Sequence, residues 1–219
     1  VEAATEEALK RRLNMPTLGG APVSSQSREQ AVFAARVGYV QNIDIAALQS
    51  WSEENQVRVV VAALPGTFAT PGRALAYVVS ATDGDPQVDC KAVVKAFQIG
   101  SNRLFYDDPR FGLVVLSEIA GRALSPAVND PGTAIHVVGT LVRLFALWSH
   151  AGTADSESAP MHDRVEVPEI SVRDMFDDAF TAVARDGAGV VEVAVRLQKA
   201  LHSLASTGDP QMREAAEYH

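Results

Sequence analysis

Arg122-Ala-Leu-Ser-Pro-Ala-Val-Asn-Asp-Pro-Gly-Thr-Ala134 places a helix end, a short polar turn and a new helix start within one run of the chain. Strongly apolar stretches flank it. Asp130 suits an N-cap, because its carboxylate accepts from backbone N–H groups that have no partner inside the helix. Pro131 suits the first helical position, where a missing N–H costs nothing. The run therefore predicts an elbow between two interior helices. Upstream, the pattern predicts a helix from Pro109 to about Leu124. Downstream it predicts one from Pro131 to about Ser149, apolar on nearly every side through Ile135, Val138, Leu141, Val142, Leu144, Phe145, Leu147 and Trp148.

The same dipeptide marks other starts. Asp-Pro occurs four times, at Asp85-Pro86, Asp108-Pro109, Asp130-Pro131 and Asp209-Pro210. Each reads as a helix start. The first of these helices is expected to run to about Ile99 and to stop at Gly100. Ser171, with Asp174 three residues on, predicts a fourth helix with Met175, Phe176, Ala179, Phe180 and Val183 on its apolar face. Gly187 ends it. A fifth follows from about Gly189 to Ser206, and residues 210–219 read as a frayed tail.

The first third differs. Residues 2–13 form a helix, acidic early and basic late, as the helix dipole favours. Residues 14–29 carry Pro16, Gly19, Gly20, Pro22 and serines, and read as a linker or an irregular crossing segment. Ala31–Asn42 reads as one strand. Asp44 caps a short helix with Ile45, Leu48 and Trp51 on its apolar side. Val57–Leu64 and Arg73–Ser80 read as strands joined through Pro65-Gly66-Thr67-Phe68-Ala69-Thr70-Pro71-Gly72, and Arg164–Val167 as a short strand after a polar loop. The fold class expected is α+β: a small β-hairpin layer, barrel-sandwich-like in one half, with a short helix, packed on a bundle of about five α-helices. The boundaries expected are 1–30 for a helix and linker, 31–82 for a β-rich subdomain and 83–219 for a helical subdomain.

Composition narrows the function classes. The 219 residues are 47% hydrophobic, enough for a real core. A net charge of −8 repels phosphate backbones, so no nucleic-acid partner is expected. Cys90 is the single cysteine, which rules out a disulfide within the chain and a cysteine-rich zinc site. It reads as a small buried hydrophobe. His136, His150, His162, His202 and His219 show no ligand-like spacing, so no metal site is expected. The opening Val-Glu-Ala-Ala-Thr-Glu-Glu lacks a signal-peptide pattern. Val114–Trp148 is interrupted by charges and prolines, whereas a membrane span needs about 20 nearly uninterrupted apolar residues. The sequence reads as soluble, or as the soluble part of something longer.

Catalytic motifs are absent: there is no Gly-x-Ser-x-Gly elbow, no Walker lysine and no Gly-x-Gly-x-x-Gly loop. Gly66, Gly72 and Leu75 match the turn pattern of biotinyl- and lipoyl-type domains. No lysine lies between residues 11 and 90, so a covalent carrier is excluded. No cofactor and no catalytic residue is assigned. Asp107-Asp108 is a carboxylate pair whose plain explanation is that Asp108 caps a helix while Asp107 is solvated.

Two readings of the elbow stay open. In the structural one, Glu118 and Arg122 form an exposed i,i+4 ion pair, Asp130 caps, and Ser125 and Asn129 tie down the turn's backbone. In the functional one, Arg122, Ser125, Asn129, Asp130 and Thr133, with Asp107 and Asp108, hold an anion or small ligand at the helix N-terminus, or hydrolyse one.

Three segments resemble the DUF2254 family of predicted bacterial membrane proteins of unknown function. They are Gly38-Tyr39-Val40-Gln41-Asn42-Ile43-Asp44; the turn Pro65-Gly66-Thr67-Phe68 through Gly72, with Thr67 and Ala69 as departures; and Asp108-Pro109-x-Phe111-Gly112 leading into Arg122–Ala134. In order and spacing the likeness covers roughly residues 30–205. It implies an N-terminal part of several spanning helices, with residues 1–13 descending from the last of them. It implies no substrate, cofactor or catalytic residue. The function expected is a non-catalytic extramembrane domain of a bacterial inner-membrane protein, regulatory, sensing or in assembly. A cytoplasmic side, a homo-oligomer and contact with its own spanning region are also expected.

Overall fold

The computed structural model describes residues 1–24, 30–80, 88–151 and 159–219, apart from the side chains of residues 150 and 151. Two compact units emerge. One is built from Val1–Leu13, the segment beginning at Pro109, and Ile170–His219. The other is built from Asn14–Asp108 and the segment ending at Glu169. The architecture is α+β.

The helical unit contains α1 (Glu2–Asn14), α4 (Pro109–Ala123), α5 (Pro131–Ala151), α6 (Val172–Gly187), α7 (Val191–Ala205) and α8 (Pro210–Tyr218). Its core follows from the apolar stripes. Leu113, Leu116 and Ala120 of α4 are buried, as are Val138, Leu141 and Phe145 of α5 and Phe176, Phe180 and Val183 of α6. Phe145, Phe176 and Phe180 form one aromatic cluster with centroids 4.5–5.5 Å apart. Arg110 of α4 bridges Asp174 and Asp178 of α6 at 2.8 and 2.6 Å. α1 seats Thr5 against Gly112 of α4, where a Cβ would lie 1.9 Å from the Thr5 hydroxyl oxygen. The glycine is required by that close approach.

Helix starts follow the expected chemistry. Ser171 caps α6 by accepting from the Asp174 amide, and Asp209 caps α8 through the amides of Gln211 and Met212. The Asp85-Pro86 start lies outside the described residues. Residues 210–219 are not a frayed tail. α8 buries Met212, Ala215 and Ala216 against α6 and α7, and Arg173 stacks on Tyr218 at 3.4 Å. Among the described residues only the span Pro131–Ser149 is long and apolar enough to cross a membrane by length and composition. Its buried stripe, 39% of that window, packs on α4 and α7.

Among the described residues the β-rich unit holds two sheets, one of five strands in the order β1-β8-β4-β6-β2 and one of three in the order β5-β3-β7. The strands are β1 (Gly20–Ala21), β2 (Gln30–Phe33), β3 (Gly38–Ile43), β4 (Val57–Val61), β5 (Phe68–Ala69), β6 (Ala74–Ser80), β7 (Phe97–Gly100) and β8 (His162–Glu166). β4 and β6 form the expected antiparallel hairpin, Val57 opposite Ser80. Leu75 is fully buried. β8 runs parallel to β4, with Val59 opposite Val165. Between β3 and β4, α2 (Ile45–Asn55) starts as expected, with the Asp44 carboxylate accepting from the Ala47 amide at 2.9 Å.

Three expectations are corrected here. Ala31–Asn42 is not one strand: it breaks at Ala34–Val37 into β2 and β3, which join different sheets. The break places Gly38 against the Gly100 carbonyl, which a Cβ would approach to 2.5 Å. The helix expected to reach Ile99 is only α3 (Lys91–Ala96). Phe97 and Ile99 instead alternate inward as β7 and pair with β3. The segment 14–29 is also not irregular throughout, because Gly20 pairs with His162 and Ala21 with Glu166. Cys90 is half-buried, and burial together with the Asp89 charge raises its thiol pKa.

Candidate functional site

The elbow forms. α4 ends at Ala123, and the Ala123 carbonyl accepts from the Asp130 amide at 2.8 Å, closing the turn. The Ser125 carbonyl accepts from the amides of Val128 and Asn129 at 3.0 and 2.8 Å, and the Ser125 hydroxyl donates to the Arg122 carbonyl at 2.7 Å. Asn129 adopts φ 49°, a left-handed turn conformation that asparagine tolerates. The Asp130 carboxylate accepts from the Thr133 amide at 3.1 Å and from its hydroxyl at 2.6 Å. Those bonds favour the ionised form. They hold the Asp130 pKa below the ordinary carboxylate range, the Thr133 hydroxyl contributing most and its amide next.

The expected Glu118–Arg122 pair does not form. Among the described residues neither side chain has an ion-pair or hydrogen-bond partner. Both line an open groove of about 500 Å³, with Val115, Ile119, Ala123, Val128, Asp130 and Thr133. Of the seven candidate site residues, three therefore share a concave surface: Arg122, Asp130 and Thr133. The Ser125 hydroxyl is engaged with the turn's backbone, and Asn129 is exposed on the turn.

Asp107 and Asp108 belong to the β-rich unit. Asp108 is buried and takes a bidentate contact from Arg103, at 2.7 and 2.9 Å. Gly66, at φ +92°, abuts the same carboxylate, where a Cβ would lie 2.3 Å from an oxygen. Thus the Asp108 carboxylate is the centre of a buried ion pair. Asp107 is not simply solvated, because it accepts from the Asn42 side-chain amide at 2.9 Å. It lines a second cavity of about 340 Å³ with Asn42, Asp44, Pro65 and apolar neighbours. Sequence reasoning missed Arg103. Its one signal is a lone arginine five residues before a buried aspartate. It also missed Glu166, buried on β8, which accepts from Arg58 at 2.7 Å and from the Ser24 amide and hydroxyl at 3.0 Å. Among the described residues no group of three His, Cys, Asp or Glu side chains could hold a metal ion.

An α+β protein has thus come into view, with a capped helical elbow, a mixed-charge groove beside it and a buried Arg–Asp pair under a glycine turn. The chain belongs to the DUF2254 family, described as predicted membrane proteins, whose pattern matches residues 1–203. It is similar to uncharacterized proteins of Mycobacterium tuberculosis and Mycobacterium bovis, 32% identical over 120 residues. That stretch is 53% of this chain and 23% of each relative, so the chain spans less than a quarter of their length in the match. No solved structure matches the chain.

Proposed function

We propose that this chain is an extramembrane module of a bacterial inner-membrane protein, serving regulation, sensing or assembly, with no catalytic role. One observation carries the reading. The polar atoms that sequence alone offers as a site at the elbow are largely used to build it: Ser125 and Asp130 bond the turn and the start of α5. A hydrolytic centre would need a free nucleophile held beside a base. Membership in a family of predicted membrane proteins supports the anchoring. A lone thiol suits a reducing compartment, which supports the cytoplasmic side. Residues 1–30 would then be the membrane-proximal helix and linker.

The test is a topology assay on the full-length gene, with a reporter inserted after residue 219 of this segment. A cytoplasmic module gives green fluorescence in the membrane fraction and no alkaline phosphatase activity. Phosphatase activity would overturn the side assigned, and a signal wholly in the soluble fraction would overturn the anchoring. A second reading, a small-ligand site, has its own support. Arg122, Asp130 and Thr133 line one groove whose volume lies within the range of small-molecule pockets, roughly 300–1,000 Å³.

A further inference from the structure

We infer that the groove beside the elbow is a two-fold contact with a second copy of this chain. The inference deepens the assembly reading above. The groove is apolar at its centre and charged at its rim. Ile119 is 38% and Val128 54% exposed, with Val115 and Ala123 beside them. Burying such a cluster is a common driving force for association.

The charges choose the partner. Glu118 and Arg122 sit one helical turn apart, where an ion pair would ordinarily form, yet among the described residues neither has a charged partner. A two-fold axis makes the same patch meet itself, so residue i meets j and j meets i. Antiparallel α4 helices from two copies then set each Arg122 against the Glu118 of the other copy, over a shared floor of Ile119 and Val128. Glu118 and Arg122 thus complement each other across the axis. An anionic ligand fits less well. Glu118 and Asp130 put two carboxylates against one guanidinium, and Asp130 stays ionised through its bonds to Thr133. The patch is small beside a standard interface, which buries about 800 Å² per partner. The dimer is therefore weak in solution and is strengthened when both copies share one membrane.

Sedimentation equilibrium of the purified chain over a concentration series tests this. The wild type is expected to dimerise. Arg122→Glu sets like charges opposite each other and should weaken the dimer at least about tenfold. Ile119→Asp should do the same. The double exchange E118R/R122E restores opposite charges and should return the dissociation constant to within about threefold of wild type, since only order and not complementarity has changed. Far-UV circular dichroism checks that each variant folds. The surface position of both charges makes misfolding a poor explanation for loss in the single variant and recovery in the double. A chain that stays monomeric at every concentration overturns the inference. So does a dimer insensitive to R122E, or an exchange that fails to rescue. Native mass spectra showing a small molecule bound stoichiometrically in the groove, lost in R122E, would assign the groove to a ligand instead. None of these outcomes changes the reporter topology, so failure here is distinct from failure of the membrane-module reading.

Discussion

Replacing Gly112 with alanine tests how the N-terminal helix is held. Alanine normally stabilises a helix interior by about 1 kcal/mol relative to glycine. Here the added Cβ would fall 1.9 Å from the Thr5 hydroxyl oxygen, 2.6 Å from its methyl and 2.7 Å from its Cβ. Turning the Thr5 side chain relieves the first two contacts but not the third. α1 must therefore lift from α4. Thr5, Ala8 and Leu9 are buried, so overpacking costs about 1–3 kcal/mol. The net expectation is a loss of up to about 2 kcal/mol, read as a fall of up to roughly 8 °C in the thermal midpoint. Thr5→Gly removes all three contacts. In a double-mutant cycle, T5G and G112A should couple by about 1–2 kcal/mol in the compensating direction. Hydrogen exchange should show G112A loosening α1 selectively. A G112A protein more stable than wild type, with strictly additive energies, would refute the seating of α1 on α4.

Two further outcomes are expected. Gly66→Ala adds a side chain at φ +92° against the Asp108 carboxylate, combining backbone strain with displacement of a buried ion pair. It should lose roughly 3 kcal/mol in urea denaturation, and an unchanged midpoint would contradict the buried pair. Asp130→Ala removes the cap of α5. Because folding lowers the Asp130 pKa, the carboxylate stabilises the fold at pH values above its unfolded value, and that contribution disappears as pH falls through the lowered folded value. The stability gap between wild type and D130A should therefore be full at neutral pH and close in strong acid. A gap that stays constant with pH would show that the ionised cap contributes nothing.

Much of the helical half was legible because its signals are local. Asp130-Pro131 and Ser171 begin helices through bonds to residues two or three positions away, and the stripes of α4, α6 and α7 recur at helical spacing. The β4–β6 hairpin was legible from its β-branched runs. The rest depends on distant partners. Phe97–Gly100 continues a helix-forming run, and only pairing with β3 makes it a strand. α8 offers just Met212, Ala215 and Ala216 as an apolar face, too little to fold without α6 and α7 beneath it. The elbow was visible as a turn. Its groove was not, because the placement of Glu118 and Arg122 without a mutual bond is a property of three-dimensional geometry. The Arg103–Asp108 pair was hidden for the same reason: the Asp-Pro start at Pro109 explains a cap and says nothing of a guanidinium folded back onto it.

Native mass spectrometry of the purified chain addresses most directly whether the elbow is architecture and contact surface or a chemical site. A structural, self-associating module yields the bare chain mass and twice that mass, with no retained small molecule. A monomer carrying one tightly bound small molecule, released by Arg122→Ala, would contradict it.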